Sequence, residues 1–144
     1  MASKLYGQFL SQALNKEIDW DSDTIKVALL GNTYTPDQDA HNYYDDVSSY
    51  EVTGTGYTTG GATLANKTNT YNSGTNTIIL DADDVTWASS TITARYAVVY
   101  DATPATAATK PLIGYVDFGS DQSSSNGNFT ITWDSTGIVR VTVA

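Results

Sequence analysis

The sequence has no cysteine, one histidine, three prolines and one methionine among 144 residues. Without cysteine there are no disulfides, no thiolate metal sites and no thiol nucleophile. With His41 alone, a Ser–His–Asp centre has one imidazole to build on, and no Gly-x-Ser-x-Gly elbow supplies the nucleophile. Charge is also scarce: 16% of residues are charged, against the roughly 25% usual in soluble domains. Basic residues are the rarer kind, 7 Lys and Arg against 16 Asp and Glu, for a formal net charge of −9. A nucleic-acid partner is therefore not expected, because phosphate binding needs a cationic stripe. Docking on anionic lipid is disfavoured for the same reason. No window approaches the roughly 18 apolar residues of a membrane-spanning helix. The amino end, Met-Ala-Ser-Lys-Leu-Tyr-Gly-Gln-Phe-Leu, lacks the apolar stretch of a secretory signal. A protein made in a cytoplasm and remaining soluble is the expectation.

Hydrophobic residues make up 40% of the chain, enough for a real core. Thr, Ser, Asn and Gly replace the missing charges, and ten Tyr dominate the aromatics. Threonine and tyrosine suit a pleated, half-buried surface better than a long helix. The length fits one domain, residues 1–144.

One segment has helical spacing. Leu5, Phe9, Ala13 and Ile18, flanked by Tyr6, Leu10 and Leu14, predict a helix over residues 3–16 within an amino-terminal helical segment, 1–18. From Thr24 the period becomes two. Ile25, Val27 and Leu29 predict a strand, and residues 31–61 follow as a polar, Tyr- and Gly-rich loop insertion. In that insertion Asp39 is positioned to cap a short helix through Asn42, Tyr43 and Tyr44. Further strands are expected over 63–71 and 77–82, around the hairpin turn Asn72-Ser-Gly-Thr-Asn76. Alternation then runs through Ile92–Tyr100, Leu112–Phe118, Phe129–Trp133 and Val139–Val143, with loops at 102–110 and 120–128. About seven strands with polar turns predict an all-β antiparallel sandwich with one amino-terminal helix. Ile25, Val27, Tyr96, Val98, Val116, Ile131, Trp133 and Val141 are the expected core positions.

Carboxylates gather at Asp19/Asp21/Asp23, Asp45/Asp46 and Asp81/Asp83/Asp84. Read as a calcium loop, Asp19-Trp-Asp-Ser-Asp23 needs glycine at its sixth position and glutamate at its twelfth; it has Thr24 and Leu30. Turn and cap roles fit these acids better. Gly54-Thr-Gly56 with Gly60-Gly61 lacks the spacing and the following helix of a dinucleotide loop. No catalytic residue, cofactor site or metal site is expected. Tyr43, Tyr44, Tyr50 and Tyr57 are different, because tyrosines among Ser, Gly and Asn make adaptable contact surfaces. With Leu5, Phe9 and Leu10 of the expected helix they form the predicted partner-binding set.

Several segments read together carry a resemblance. They are Tyr34-Thr-Pro-Asp-Gln-Asp-Ala-His41, Val52-Thr-Gly-Thr-Gly-Tyr-Thr-Thr-Gly-Gly-Ala-Thr-Leu-Ala65, Leu80-Asp-Ala-Asp-Asp-Val-Thr-Trp87, Thr91-Ile-Thr-Ala-Arg-Tyr-Ala-Val-Val-Tyr100, Pro111-Leu-Ile-Gly-Tyr-Val-Asp-Phe-Gly119 and Phe129-Thr-Ile-Thr-Trp-Asp134. From about Lys4 onward the chain resembles a group of small structural proteins of tailed bacteriophages, variously head decoration, minor capsid or minor tail proteins. The resemblance implies a virion component whose partners are the major capsid protein or other virion proteins, with self-association on the particle. It carries no catalytic motif. The leading expectation is a capsid decoration, or cement, protein that binds the assembled head. The alternative is a tail- or fibre-associated module contacting host surface carbohydrate. An enzyme, such as a small glycosidase, would need two carboxylates converging in one cleft.

Overall fold

A computed structural model describes residues 2–143; Met1 and Ala144, the ends of the expected domain, lie outside the described residues. Among the described residues eight strands form two antiparallel sheets: β1 (Ala2–Leu5), β2 (Ile25–Leu30), β3 (Ala62–Thr63), β4 (Thr68–Asn72), β5 (Thr77–Asp81), β6 (Val85–Asp101), β7 (Leu112–Ile131) and β8 (Val139–Thr142). The larger sheet has the order β1-β7-β6-β2-β3 and the smaller β4-β5-β8. The all-β sandwich read from the period-two segments is the observed architecture.

The amino-terminal helix is shorter than its pattern suggests, a correction to the expected 3–16. Residues 2–5 pair with β7, Ser3 opposite Val116 and Leu5 opposite Gly114, and only Phe9–Leu14 form α1. An open sheet edge satisfies the backbone of this segment directly, and between strand and helix the Gly7 N–H donates to the Gln38 carbonyl at 2.9 Å. Phe9 and Ile18 reach the core, while Leu10 and Leu14 of the same apolar stripe stay exposed.

A second correction concerns residues 120–128, expected as a loop and found inside β7. This Ser/Asn-rich stretch pairs with β6 through hydroxyl rungs: Ser90 Oγ to Ser124 Oγ at 2.7 Å, and Thr93 Oγ1 to Ser123 Oγ at 2.8 Å. Cross-strand hydroxyl pairs stabilise a ribbon that apolar alternation does not mark. Register shifts between Trp87 and Ser90 and between Ser90 and Ile92 bend that ribbon.

Both faces of the larger sheet are covered where β2, β6 and β7 meet. Ile25, Val27, Leu29, Ala97 and Val99 point to one face and pack with Leu80 and Val139 of the smaller sheet, and with Phe9 and Trp20. Ala28, Leu30, Val98, Tyr100 and Leu112 point to the other, where Tyr6, Tyr34, Tyr44 and Val47 cover them. A strand buried on both faces loses alternation, as Val27-Ala-Leu-Leu30 and Ala97-Val-Val-Tyr100 do. Of the expected core positions, Ile25, Val27, Val98 and Ile131 are buried; Tyr96, Val116, Trp133 and Val141 are half-buried.

Candidate partner-binding surface

The insertion of residues 31–61 is fastened to the sheet at many points. Leu30 and Glu51 form a β-bridge, the Val52 N–H donates to the Leu29 carbonyl at 3.0 Å, and Thr55 bridges Thr91. Gly61 lies at φ +76°, with its Cα against β2: a Cβ there would sit 1.9 Å from the Val27 carbonyl oxygen. Only glycine fits.

Glu51 is the centre of this fastening. Its Oε2 accepts from the Tyr44 hydroxyl at 2.5 Å, and its Oε1 accepts from the Tyr57 hydroxyl at 2.5 Å and the Gly60 N–H at 2.6 Å. The Tyr57 hydroxyl in turn accepts from the Leu29 N–H at 3.0 Å, tying the cluster to β2. Tyr44 stacks on Tyr100 of β6, centroids 4.2 Å apart, and the Tyr100 hydroxyl donates to the Gly60 carbonyl at 2.8 Å. Hydrogen bonds to a carboxylate at such distances are the strong kind. Burial, then the Glu51 carboxylate, raises both the Tyr44 and Tyr57 hydroxyls above their usual range. Burial also pushes Tyr100 up to about 12.

A second chain joins the amino-terminal segment to the insertion. Tyr6 and Tyr34 share a hydroxyl–hydroxyl hydrogen bond of 2.7 Å, and the Tyr34 hydroxyl lies 3.0 Å from His41 Nδ1. The helix expected after Asp39 forms instead at Asp45–Ser48 (α2). Asp46 Oδ2 accepts the Asn42 and Tyr43 N–H groups at 2.8 and 3.1 Å, while Asp37 closes a turn on Asp39 and Ala40.

The predicted contact residues therefore divide. Phe9 and Tyr44 are buried, and Tyr57 is half-buried against the core beside Trp87. These three hold the domain together and offer little to a partner. Leu5 is half-buried in β1. Tyr43 is half-buried, its hydroxyl donating to Glu17 Oε2 at 3.2 Å, which ties the insertion to the turn after α1. Tyr50 lies at the surface against Tyr34. Leu10 is 47% exposed, and Leu14, one helical turn on, is 84% exposed. The outward half of the predicted helix stripe, with Tyr43 and Tyr50, is what remains open.

The acidic clusters act in turns. Asp19 Oδ1 accepts the Asp21 and Ser22 N–H groups, and Asp23 Oδ2 accepts the Asp19 N–H at 2.7 Å. Asp84 holds the Trp133 N–H, and Asp83 holds the Asn66 amide. Among the described residues no three of His, Asp or Glu gather as metal ligands. Sequence reading missed Glu51 and Asp101, because nothing in a one-dimensional pattern marks a carboxylate that the fold will enclose. Asp101 is fully buried at the end of β6, its Oδ1 accepting the Thr103 N–H at 2.8 Å and its Oδ2 without a donor. Burial and the neighbouring Asp23 raise it to about 6. A groove of about 340 Å³ lies between β1 and the Trp133–Arg140 region, lined by Lys4, Leu5, Val116, Trp133, Ile138 and Arg140.

No helix among the described residues is long and apolar enough to cross a membrane. No family model, curated protein or solved structure matches the chain.

Proposed function

We propose that this chain is a structural protein of a tailed-phage virion, a decoration or cement protein that binds the assembled head and its own copies there. The observation that carries the reading is the resemblance running along nearly the whole sequence. The exposed Leu10–Leu14 pair supports it, as an apolar spot on a peripheral helix that the domain itself leaves open. A cement protein acts by mass action: it binds the assembled shell and not the free subunit, so occupancy stabilises the shell. A domain fixed internally by Glu51 and its tyrosines loses little conformational freedom on docking, which favours affinity.

The test is co-sedimentation of purified protein with particles that lack it. Leu10→Asp/Leu14→Asp is the variant of choice, because both side chains are outside the core and the fold should survive, as circular dichroism and the thermal midpoint would show. We expect loss of particle binding with folding intact. A folded double variant that binds like the parent removes this helix from the contact surface. Copy counting on purified virions then separates shell decoration, at hundreds per particle, from a neck or tail position, at a dozen or fewer.

A tail- or fibre-associated carbohydrate-binding module is favoured by one feature, the groove that sets the half-buried Trp133 beside Asp134 and Arg140. Glycan-array binding abolished by Trp133→Ala would move the assignment there.

A further inference from the structure

Among the described residues, β1, β3, β4 and β8 end the two sheet orders, and three of these four carry protection of a recognised kind; the outer edge of β7 beyond Asp117 carries Asp121 and the register shifts of its ribbon. β1 has Lys4 in its course, β8 has Arg140 and spans four residues, and β3 is two residues long. The fourth edge, β4, is Thr-Asn-Thr-Tyr-Asn, every residue exposed and paired only with β5. It has no lysine, no proline and no register shift. The β4–β5 hairpin belongs to an uncharged run of thirteen residues, 68–80, in a chain whose formal net charge is −9. Tyr71 of β4, next to Thr70 at the strand's centre, is 57% exposed.

We propose that β4 is a self-association edge, pairing antiparallel with β4 of a second copy about a two-fold axis beside Thr70 to give one continuous six-stranded sheet. The occupant follows from charge. Two copies at −9 repel through most of their surfaces, and a neutral edge is where they approach at least cost. An antiparallel two-fold contact is self-complementary: Thr68 of one copy faces Asn72 of the other, and Lys67 faces the uncharged Ser73. Backbone hydrogen bonds across the edge supply the attraction, as in strand addition generally. Threonine, asparagine and tyrosine side chains suit such cross-strand pairs. Five residues bury too little for a tight dimer, so the contact forms at high concentration or where a lattice holds copies side by side. This assigns a surface to the self-association in the reading above. It is tested on purified protein, so its failure and the failure of the virion reading are separate results.

The absence of cysteine makes the test clean. Single cysteines are placed at each of positions 68–72 in turn, with Ser135→Cys as an exposed control, and each protein is oxidised at high concentration. In antiparallel pairing centred on residue 70, the two copies of position 70 lie within the roughly 7 Å reach of a disulfide. The two copies of position 68 lie about 13 Å apart, four residues at roughly 3.3 Å each. We expect disulfide-linked dimer to peak at Thr70→Cys, several-fold above Thr68→Cys, Asn72→Cys and the control. Mixing Thr68→Cys with Asn72→Cys should give the heterodimer, and adding Thr70→Lys to that pair should abolish it with the domain still folded. Yields that match the control at all five positions overturn the proposal. Equal yields at all five, the mark of parallel pairing in register, overturn it as well.

Discussion

The two faces of the larger sheet are closed by different chemistries. On one, Ile25, Val27, Leu29 and Val99 meet aliphatic side chains of a second sheet, and shape and apolar area do the work. On the other, an irregular segment lies across Ala28, Leu30, Val98 and Tyr100. A loop carries backbone and side-chain polar groups that a sheet would satisfy internally. Tyrosine resolves this by laying an apolar ring on the sheet while its hydroxyl serves the loop's hydrogen bonds. Glu51 then organises three donors from that segment. The aliphatic face should be indifferent to pH and the tyrosine face should not.

The largest effect expected from breaking this contrast is on the aliphatic side. Leu29 is fully buried, and Leu29→Ala should cost about 2–5 kcal/mol by cavity formation. Denaturant titrations at neutral and mildly alkaline pH should give the same loss. A loss that changes with pH would mean the two faces are not independent.

The tyrosine face responds to alkali and to Glu51. Tyr6 and Tyr44 on this face, and Tyr57, which reaches Glu51 from the other core cluster, are raised by burial, and Tyr34 and Tyr100 reach about 12. A raised folded-state value means their contribution is whole below the unfolded value of about 10 and is lost as pH rises through the folded one. Stability should therefore fall above about pH 10, with tyrosinate absorbance appearing together with unfolding. Glu51→Gln keeps the shape and removes the charge. It should cost about 1.5–3 kcal/mol, the range for hydrogen bonds to a charged group, and move tyrosinate formation to lower pH. An unchanged alkaline titration would show that Glu51 does not hold these hydroxyls.

Asp101 sharpens the contrast, since it is an enclosed acid without Glu51's complement of donors. Its value of about 6, above the usual 3.8, follows from burial and from Asp23. The linkage has one sign: the folded state holds the proton more tightly, so this contribution is present below the unfolded value and lost as pH rises through about 6. Asp101→Asn retains an acceptor for the Thr103 N–H and adds a donor toward Asp23. It should stabilise by about 1–2 kcal/mol above neutrality, with the gain shrinking toward pH 4. Thermal midpoints measured across that range decide it, and a gain that persists in acid would refute the linkage.

Much of the fold was legible because its signals are local and repeated. The β-branched and aromatic runs Ile25–Leu30 and Ile92–Tyr100, and the turn Asn72-Ser-Gly-Thr-Asn76, are short-range signals, and the structure forms strands and a hairpin there. Where the pattern is ambiguous, tertiary partners decide. Leu5, Phe9 and Ala13 have helical spacing, yet Ser3-Lys-Leu5 lies beside an open edge of β7 and becomes a strand. Ser123 and Ser124 look like loop residues until Thr93 and Ser90 appear opposite them. The sequence did not mark which candidate contact residues the fold would enclose: Tyr44 and Tyr57 read as rings of an adaptable surface, and Tyr44 is buried and Tyr57 half-buried. What turns them inward is Glu51, seven residues from Tyr44 and six from Tyr57. No sequence period brings those three together.

The smallest expected effect concerns a third acid, one that the fold leaves in solvent. Arg95 Nε donates to Asp117 Oδ1 at 2.8 Å, with both side chains about 30% exposed, and the same oxygen accepts the Gly119 N–H at 2.7 Å. The guanidinium also lies 5.5 Å from the Tyr96 ring centroid. Asp117 is held below the usual carboxylate range, first by Arg95 and then by the Gly119 N–H. Its contribution is therefore present above the unfolded value and lost as pH falls through the folded one. In water, however, such a pair gains little, because solvent and salt screen it and the long side chain must be fixed. Arg95→Met, which keeps the stem over Tyr96, should leave the thermal midpoint near that of the parent at physiological salt. Asp117→Ala should lose more than Arg95→Met, since it also deprives the Gly119 N–H of its acceptor at the left-handed turn there (φ +82°). If Arg95→Met instead destabilises as much as Glu51→Gln, an exposed ion pair would be holding this end of β6 and β7 as firmly as the enclosed carboxylate holds the insertion.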